Sequence, residues 1–148
     1  MKKLCVVLGA NGFVGSHLVD RLAQETELRV RAFDRFSRKP QFGAHKDVSK
    51  VKGDVANDAD IKKALKGAEY VIHCFSTTTP FVADADPYAD IRNLARSVEI
   101  FEACIAEGVQ KVVFISSGGS VYGRLTEQRT ATEMDAPMPV SPYGIGKL

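Results

Sequence analysis

A triplet of glycines joins a strand-like segment to a helix-like segment near the start of the chain. The apolar run Leu4–Leu8 is typical of a buried strand, and it passes directly into Gly9, Gly12 and Gly15 of the sequence GANGFVG. A strand that turns straight into a helix presents unpaired backbone N–H groups and the positive end of the helix dipole, which favours a pyrophosphate there. Gly9 would permit the tight turn, Gly12 would let the diphosphate approach the backbone, and Gly15 would let the helix pack on the strand. A tight turn without a ligand is the alternative interpretation.

An acidic residue at the end of the next predicted strand supports a dinucleotide as the ligand. Asp34 follows Gly15 by 19 residues, close to the spacing of about 20 expected for a carboxylate that binds the adenosine ribose. Because this carboxylate would repel a 2′-phosphate, it favours NAD over NADP. Arg35, Arg38 and Lys39 follow and could hold a phosphate, so NADP is kept as an alternative. A solvated basic loop is the simpler interpretation of Arg38 and Lys39.

The rest of the chain alternates short β-rich runs with segments of helical spacing, which predicts an α/β fold with a doubly wound parallel sheet. The predicted strands are Leu4–Leu8, Leu28–Asp34, Ser49–Gly53, Glu69–Phe75 and Lys111–Ser117. The predicted helices are Phe13–Gln24, Ala59–Lys66 and Pro87–Glu107. On the last helix, the predicted buried stripe is Leu94, Val98, Phe101 and Ile105. The longest predicted loops are Ser37–Lys46 and Ser76–Asp86.

The composition limits the class of protein. With 148 residues, 45% of them hydrophobic, the chain can bury one sizeable core, which predicts a single globular domain. A net charge of +2 without a basic tract argues against a nucleic-acid partner, and no apolar run approaches the roughly 20 residues of a membrane span. Cys5, Cys74 and Cys104 lie far apart inside apolar runs, which predicts reduced thiols in a cytoplasmic protein and no metal site. The apolar start passes into the glycine triplet rather than a cleavage site, so a secretory signal is not expected.

A second set of polar residues lies near the end of the chain, in SPYGIGKL. Tyr143 and Lys147 are four residues apart, so that on a helix they share one face. A lysine ammonium beside a phenol favours the phenolate form that a general base needs. By itself this pair is common by chance on protein surfaces. Here it follows a fifth predicted strand that ends in serines, in a chain that begins with a dinucleotide-type loop, and this context favours a catalytic role.

Taken together, the motifs GANGFVG, FDR, GDV, YVIHCFSTTTP, NLARSVEIFEAC, SSGGSVYG and SPYGIGK resemble those of the extended short-chain dehydrogenase/reductase superfamily. Within it, the chain is similar to the NAD-dependent epimerase/dehydratase family, and there to nucleotide-sugar epimerases of the UDP-glucose 4-epimerase type. The resemblance runs through all 148 residues and implies an NAD-binding Rossmann domain over residues 1–148, with a nucleotide sugar as the substrate. Such enzymes continue for about as long again into a substrate domain. The chain is therefore expected to be the N-terminal part of a longer enzyme, which could be a homodimer.

The resemblance also assigns roles to individual residues. It implies that Tyr143 is the catalytic base and that Lys147 binds the nicotinamide ribose and tunes Tyr143. The residues that would bind the cofactor are Gly9, Asn11, Gly12, Phe13, Val14, Gly15, Asp34, Arg35, Asp54, Val55, Cys74, Phe75, Ser76, Asn93 and Lys147. Among them, Asn93 would be a structural or cofactor-side residue of the longest helix, and the GDV motif would lie at the adenine edge.

One position departs from the pattern of these relatives. They carry a catalytic Ser or Thr four residues before the tyrosine of VYG, where this chain has Gly118. Ser117 and Ser120 flank that position, and either hydroxyl could supply the hydrogen bond to the sugar oxygen, with Ser117 preferred. Hydrogen bonding to the backbone at the strand end is the structural alternative for these serines.

The same stretch narrows the reaction. Similar 4,6-dehydratases follow the catalytic Thr with Asp and Glu, and decarboxylating relatives need the second acid, but this chain has Gly119 and Ser120 at those places. Reversible oxidation of a sugar hydroxyl, and hence epimerisation, is the reaction that remains. An NAD(P)-dependent reductase or dehydrogenase of the same superfamily and a non-catalytic dinucleotide-binding module are the alternatives.

The terminal segment predicts a weak helix. Ser141 is expected to cap it and Pro142 to occupy its first turn. Few residues follow the cap, and two of them are glycines, which weaken a helix further. We therefore expect Tyr143 and Lys147 to be displaced or mobile in this chain, and the 148 residues alone to lack turnover.

Overall fold

The computed structural model describes residues 2–78, 86–124 and 130–148. Within these ranges the strands are β1 Lys3–Leu8, β2 Leu28–Asp34, β3 Val48–Lys52, β4 Tyr70–His73 and β5 Lys111–Phe114. The helices are α1 Phe13–Leu22, α2 Asp58–Leu65 and α3 Pro87–Ala106, followed by the single turns α4 Gly118–Val121 and α5 Pro142–Ile145. This is the alternation of strands and helices that the sequence predicts.

The strands form a parallel sheet in the order β3-β2-β1-β4-β5. At the end of β1, Leu8 is in register with Phe33 of β2 on one side and with His73 of β4 on the other. The chain therefore changes the direction in which it adds strands between β1 and β4. Doubly wound sheets bind ligands at the carboxyl ends of the strands at such a switch point. Gly9 and Cys74, which directly follow these strand ends, lie there.

Side chains of β1 alternate between two cores, as expected for a strand covered on both faces. The first core is formed by Leu4, Val6, Leu8, Phe33, Ile61, Ala64, Leu65, Ala68, Val71, Ile100 and Cys104. The second core is formed by Val7, Ala10, Val19, Val30 and Ala32. Since helices α2 and α3 contribute to the first core and α1 to the second, the predicted doubly wound α/β sheet is confirmed.

The chain divides into two compact units. The sheet unit comprises Met1–Phe75 and Val98–Phe114 and contains the strands, α1, α2 and the second half of α3. The turn unit comprises Ser76–Ser97 and Ile115–Leu148 and contains the first half of α3 together with α4 and α5. Of the predicted loop Ser76–Asp86, residues 79–85 lie outside the described residues.

The buried side of α3 differs from the predicted stripe. Leu94, Val98 and Ile105 are exposed by 45, 48 and 78%, so this part of the prediction was wrong. The buried residues of α3 are Asp90, Ser97, Ile100 and Cys104. The buried side thus combines two polar and two apolar side chains, and Ser97 satisfies its hydroxyl by donating to the carbonyl oxygen four residues earlier, at 2.8 Å. Of the predicted stripe, Phe101 is partly buried, with its ring 5.6 Å from that of His73 between centroids.

Strands β4 and β5 are shorter than predicted. Their pairing runs from Tyr70 with Lys111 to His73 with Phe114 and then stops. Residues 74–75 and 115–117, predicted as strand, therefore lie beyond the pairing of β4 with β5. In the part of the chain that the structure describes, no helix is long and apolar enough to cross a membrane.

Candidate functional site

The turn between β1 and α1 is so tight that its glycines have little or no room for a side chain. Gly9 has a φ of +81°, and a Cβ there would lie 2.8 Å from the backbone nitrogen of Phe75. A Cβ on Gly15 would collide with the carbonyl oxygen of Gly9 and lie 3.0 Å from the Cα of Ala10. A Cβ on Gly12 would lie 3.2 Å from the same carbonyl oxygen. The tight turn predicted at Gly9 and the close helix packing predicted at Gly15 are confirmed.

The start of α1 offers backbone donors rather than side chains. Gly12 is the N-terminal cap residue and provides no side-chain hydrogen bond to the first turn. The first N–H groups of a helix have no partner within the helix. The side chains of Phe13 and Val14, in this first turn, are exposed by 82 and 43%. An uncapped turn at the positive end of a ten-residue helix, beside a cradle of glycines, fits the pyrophosphate of a dinucleotide.

Asp34 lies at the end of β2, next to the glycine turn. Its Oδ2 accepts a hydrogen bond of 3.0 Å from the N–H of Asn11. Its Oδ1 accepts one of 3.2 Å from the N–H of Phe36, which has a φ of +46°. An ionised carboxylate has about four lone-pair sites, so two backbone donors leave capacity for further donors such as ribose hydroxyls. The backbone thus orients the carboxylate without saturating it.

Asn11 has a structural role that the sequence did not reveal. Its buried amide donates to the carbonyl oxygens of Arg38 and Lys39, at 3.2 and 3.4 Å. Its Oδ1 accepts from the N–H of Gln41 at 2.8 Å. These bonds fasten the loop after β2 to the glycine turn. The contact between Asn11 and the cofactor stays a prediction, and the side chain has other partners in this structure.

The remaining residues predicted at the adenosine end follow β2 and β3. Arg35 and Arg38 are exposed, and the Arg38 guanidinium lies 3.4 Å from the carbonyl oxygen of Asn11. Asp54 closes a short turn after β3 because its Oδ1 accepts from the backbone N–H two residues later, at 2.9 Å. Val55 packs against the first core. The GDV motif is therefore a compact turn at the end of β3.

The residues after β4 continue the same edge of the sheet. The N–H of Cys74 donates to the carbonyl oxygen of Leu8 at 2.9 Å, which holds Cys74 beside the end of β1. The backbone of Phe75 is the surface on which Gly9 packs, and its ring centroid lies 4.3 Å from that of His73. Cys74 and Phe75, two of the residues predicted to line the cofactor after β4, are thus neighbours of the glycine turn within the sheet unit.

The three thiols differ in accessibility. Burial raises the pKa of Cys5 to about 11, and the neighbouring Cys74 thiol adds to this effect. Burial also raises the pKa of Cys104 to about 11. Cys74 itself is only partly buried. It is therefore the thiol that lies at the predicted cofactor edge and within reach of solvent.

Tyr143 and Lys147 are neighbours in the turn unit. The Lys147 ammonium lies over the Tyr143 ring, 5.9 Å from its centroid, in the range of cation–π contacts. Lys147 is held at two points: its Nζ donates to the carbonyl oxygen of Ile115 at 3.2 Å, and its own carbonyl oxygen accepts from Ser116 Oγ at 2.6 Å. Because α5 ends at residue 145, these contacts rather than a continuous helix position Lys147.

The turn that carries Tyr143 packs closely on the turn that carries the serines. Ser141 caps α5, since its Oγ accepts from the N–H of Gly144 at 3.1 Å, and Pro142 occupies the first position, as predicted. A Cβ on Gly144 would lie 2.7 Å from the carbonyl oxygen of Ser120 and 3.0 Å from the Cβ of Pro139. Only a glycine allows α5 to approach the backbone of α4 this closely.

The two candidate serines flank a glycine pair with open space beside it. Ser117 is the cap residue of α4, and its Oγ donates to Ser120 Oγ at 3.3 Å. A Cβ on Gly118 or Gly119 would meet no atom within 4 Å. The space beside them belongs to a cavity of about 490 Å³, with the lining residues Gly118, Gly119, Tyr122, Gly123, Thr130 and Ala131. A cavity of this volume accommodates a small molecule.

Asn93 belongs to a hydrogen-bonded network whose other members the sequence analysis missed. Its Oδ1 accepts from Thr77 Oγ1 at 2.7 Å, and its Nδ2 donates to Thr78 Oγ1 at 2.8 Å. Thr78 in turn donates to the buried Asp90. The signal that could have revealed the network is the helical spacing of Asp90, Asn93 and Ser97, which continues the buried side of α3.

The predicted site residues fall into two sets. The sheet unit contains those of the glycine turn, of the ends of β2 and β3 and of the start of the segment after β4. The turn unit contains Ser76, Asn93, Ser117, Tyr143 and Lys147. Among the described residues, no group of three or more His, Cys, Asp or Glu could hold a metal ion.

A parallel sheet with a glycine cradle and an acidic strand end at its switch point defines a dinucleotide-binding protein of the Rossmann class. The sequence model of the NAD dependent epimerase/dehydratase family matches residues 5–148, and the chain belongs to this family. The cofactor of the family is NAD, in agreement with the prediction from Asp34.

Individual relatives include enzymes of two kinds. The UDP-glucose 4-epimerase of Mycolicibacterium smegmatis is 37% identical over 151 residues, which cover 97% of this chain and 47% of that protein. The decarboxylating sterol-4-alpha-carboxylate 3-dehydrogenase of Mus musculus is 32% identical over 146 residues, which cover 95% of this chain and 36% of that protein. The structure of the Thermus thermophilus UDP-glucose 4-epimerase in complex with NAD matches with a TM-score of 0.84 at 31% identity, covering 97% of this chain and 47% of that one. The chain thus spans about half the length of these epimerases.

Proposed function

We propose that the protein containing this chain is an NAD-dependent nucleotide-sugar epimerase of the UDP-glucose 4-epimerase type. The observation that carries the proposal is the packing of the Tyr143 turn on Ser120, with the Lys147 ammonium over the Tyr143 ring. A base beside a cation, with hydroxyl groups on the adjoining turn, suits the removal of a proton from a sugar hydroxyl. The similarity to the epimerases of M. smegmatis and T. thermophilus supports a nucleotide sugar as the substrate.

In the proposed cofactor site, the uncapped first turn of α1 would hold the pyrophosphate of NAD. Asp34 would accept hydrogen bonds from the adenosine ribose, and it is already oriented for this by two backbone N–H groups. Its charge would repel the 2′-phosphate of NADP. Cys74 and Phe75 would line the site after β4, and the GDV turn would lie at the adenine.

In the proposed reaction, Tyr143 accepts the proton of a sugar hydroxyl while hydride leaves the carbon that carries this hydroxyl. Bound NAD would supply the acceptor for this hydride and its return to the opposite face of the keto sugar, and the proton held by Tyr143 would return to the oxygen. Lys147, whose ammonium lies over the Tyr143 ring, would place a positive charge beside the base. The hydroxyl pair of Ser117 and Ser120 would hydrogen-bond the sugar oxygen. Ser117 is the predicted donor, and to act directly it would have to turn its one proton away from Ser120 Oγ, to which it donates at 3.3 Å, and towards the sugar.

Tyr143→Phe in the whole protein tests this proposal. We expect interconversion of UDP-glucose and its 4-epimer to fall by about 100-fold or more, the usual contribution of a general base. NAD affinity should change little, because the lost hydroxyl acts on the substrate. Tyr70→Phe, at the start of β4, loses a hydroxyl that accepts from Lys3 Nζ at 2.8 Å and is the matched control, which should retain full activity. Equal activity of Tyr143→Phe and the wild type would contradict the epimerase mechanism and favour a non-catalytic binding module.

A dehydrogenase or reductase is the second candidate, and the similarity to the mouse sterol dehydrogenase favours it. The same tyrosine and lysine would serve either reaction, but the redox balance differs. An epimerase returns its hydride to the substrate, so it turns over without net change in free NAD. Absorbance at 340 nm therefore distinguishes the two, since a dehydrogenase or reductase changes the amount of reduced cofactor with each turnover.

The 148 residues by themselves are proposed to lack turnover. The epimerase of M. smegmatis has about twice this length, and the turn that carries Tyr143 has only four helical residues. We expect NAD binding and epimerisation to be separable, because the glycine turn is formed within this chain whereas the epimerase relative extends over about twice its length. Measurable epimerisation by the 148 residues alone would contradict this expectation.

A second copy of the chain is the proposed protein partner. The exposed side of α3 carries a stripe of large apolar side chains, namely Tyr88, Ile91, Leu94, Val98 and Ile105. An apolar stripe of this kind marks an interaction surface, and on a single helix it can match its own copy across a two-fold axis. Leu94→Glu should convert a dimer to a monomer in light scattering, whereas Ala106→Glu, outside the stripe, should not. If the wild-type protein is monomeric, the stripe does not mediate dimerisation and the proposed partner is wrong.

A further inference from the structure

Asp90 is buried in the turn unit at an energetic cost. It is 6% exposed, and its Oδ2 has no hydrogen-bond partner among the described residues. A buried acceptor without a partner destabilises the folded state, and an apolar side chain of similar size would avoid this penalty. The presence of a carboxylate therefore suggests that its other oxygen has a specific task.

The other oxygen fixes the direction of a chain of hydrogen bonds. Asp90 Oδ1 accepts the proton of Thr78 Oγ1 at 2.5 Å. A hydroxyl has a single proton, so Thr78 can only accept from Asn93, whose Nδ2 donates to it at 2.8 Å. The amide oxygen of Asn93 then faces the opposite way, where it accepts from Thr77 Oγ1 at 2.7 Å.

A carboxylate is needed because every other member of the hydrogen-bond chain can act both as a donor and as an acceptor. Threonine hydroxyls donate as well as accept, and an asparagine amide can turn by 180° with almost the same atomic positions. The opposite arrangement, with Thr78 donating to Asn93 and Asn93 donating to Thr77, would satisfy the same three residues. Asp90 excludes it because its Oδ1 takes the one proton of Thr78, which Thr78 then cannot donate to Asn93.

Thr77 is the solvent-exposed end of this chain of hydrogen bonds. Since its one proton is committed to Asn93, its oxygen presents only lone pairs to the outside. Thr77 follows the end of β4 by four residues, and segments after strand ends carry the ligand contacts of doubly wound proteins. A lone pair at this place would suit a donor on a ligand and disfavour a phosphate or carboxylate oxygen.

We propose that Asp90 is a positioning residue that acts through Thr78 and Asn93 to make Thr77 a hydrogen-bond acceptor for a hydroxyl or amide N–H of the bound dinucleotide. The identity of the ligand rests on the proposed function, whereas the direction of the hydrogen-bond chain does not. The two parts therefore have separate tests.

The direction of the chain is tested without ligand, by NMR of the ¹⁵N-labelled 148-residue protein. The side-chain amide signals of Asn93 are identified by their loss in Asn93→Asp. Thr78→Val removes the acceptor and Asp90→Asn removes the group that can only accept. Both should shift these signals and speed their hydrogen exchange by about threefold to tenfold, the effect of one net hydrogen bond. Thr78→Ser keeps the hydroxyl and should match the wild type.

Unchanged Asn93 signals in both Asp90→Asn and Thr78→Val would overturn the proposed direction. Far-ultraviolet circular dichroism of each variant shows whether it is folded. If Asp90→Asn does not fold, the comparison of Thr78→Val with Thr78→Ser decides. Thr78→Val removes the hydroxyl, whereas Thr78→Ser keeps the hydroxyl and removes only the methyl group.

The ligand part is tested by calorimetric titration with NAD. Thr77→Val and Asp90→Asn should each weaken NAD binding by about threefold to tenfold, and Thr78→Ser by less than about twofold. Thr77→Val should leave the bond from Asn93 to Thr78 in place, which the NMR signals report. Equal NAD affinity of Thr77→Val and the wild type would overturn the role of Thr77 as an acceptor. A wild-type protein that does not bind NAD would contradict the proposed function, while the NMR result would still decide the direction of the hydrogen-bond chain.

Discussion

The close approach of α5 to α4 depends on a glycine, and Gly144→Ala should weaken it. A Cβ at this position would lie 2.7 Å from the carbonyl oxygen of Ser120 and 3.0 Å from the Cβ of Pro139, whereas ordinary contacts begin at 3.4 Å. One obstacle is backbone and the other belongs to a proline ring. Neither can move away by a simple change of rotamer, so the two turns must separate by several tenths of an ångström.

The expected loss follows from two opposing effects. Inserting a methyl group into close packing costs about 1–3 kcal/mol. Alanine favours a helix over glycine by up to about 1 kcal/mol, which offsets part of that cost. The net destabilisation of the contact is therefore about 1–2 kcal/mol, equivalent to a factor of about 5 to 30 in the equilibrium between docked and separated turns.

Hydrogen exchange at Met138 measures this equilibrium. The N–H of Met138 donates to the carbonyl oxygen of Val121 at 3.0 Å and is protected only while the segment before α5 lies on α4. Its exchange should be about 5 to 30 times faster in Gly144→Ala than in the wild type. The control is Gly146→Ala, where a Cβ would lie 3.6 Å from its nearest neighbour and fits without strain. Equal protection in the two variants would refute the argument that Gly144 allows the docking.

Three further predictions concern the sheet unit. Asp34→Ala should reduce the preference for NAD over NADP in titrations with both cofactors, and an unchanged ratio of dissociation constants would remove the carboxylate from this role. Cys74 should be alkylated by iodoacetamide at neutral pH before the two thiols whose pKa burial raises to about 11, and NAD should slow its reaction; peptide mass spectrometry showing equal labelling of all three would contradict this. The hydrogen bond from His45, together with the N–H of Gly43, lowers the pKa of Asp20, so this carboxylate stabilises the folded state above the ordinary carboxyl pKa and the effect is lost as the pH falls through its lowered value. The difference in unfolding free energy between wild type and Asp20→Asn should therefore shrink in acid, and a difference independent of pH would refute it.

The features that the sequence predicted well are those whose cause is local. A strand that turns directly into a helix requires small residues at fixed positions, so the requirement for glycine at Gly9 and Gly15 follows from a few consecutive residues. The cap at Ser141 is local in the same way. The sheet could be predicted because continuous apolar strands separated by helical segments leave few arrangements other than a parallel, doubly wound one.

The features that were missed depend on contacts between distant parts of the chain. Hydrophobicity ranks Leu94 and Val98 above Ser97, but Ser97 is buried and the other two are exposed, because burial depends on which segments cover each side of α3. The structural role of Asn11 was missed because its partners are 27 to 30 residues later in the loop after β2, while its contact with the cofactor stays a prediction. Neither assignment can be made without knowing which segments meet.

The two glycines of YGIGK show why local propensity alone is misleading at the candidate site. Both weaken a helix by about the same amount, so the sequence predicts a frayed end that would release Tyr143. In the structure they differ, because the backbone of Ser120 occupies the place of a Cβ on Gly144, while Gly146 has room for one. Gly144, which weakens the helix by its low propensity, is also the residue that lets α5 approach α4. A stronger helix at this position would therefore hold Tyr143 more rigidly but farther from the hydroxyl groups with which it is proposed to act.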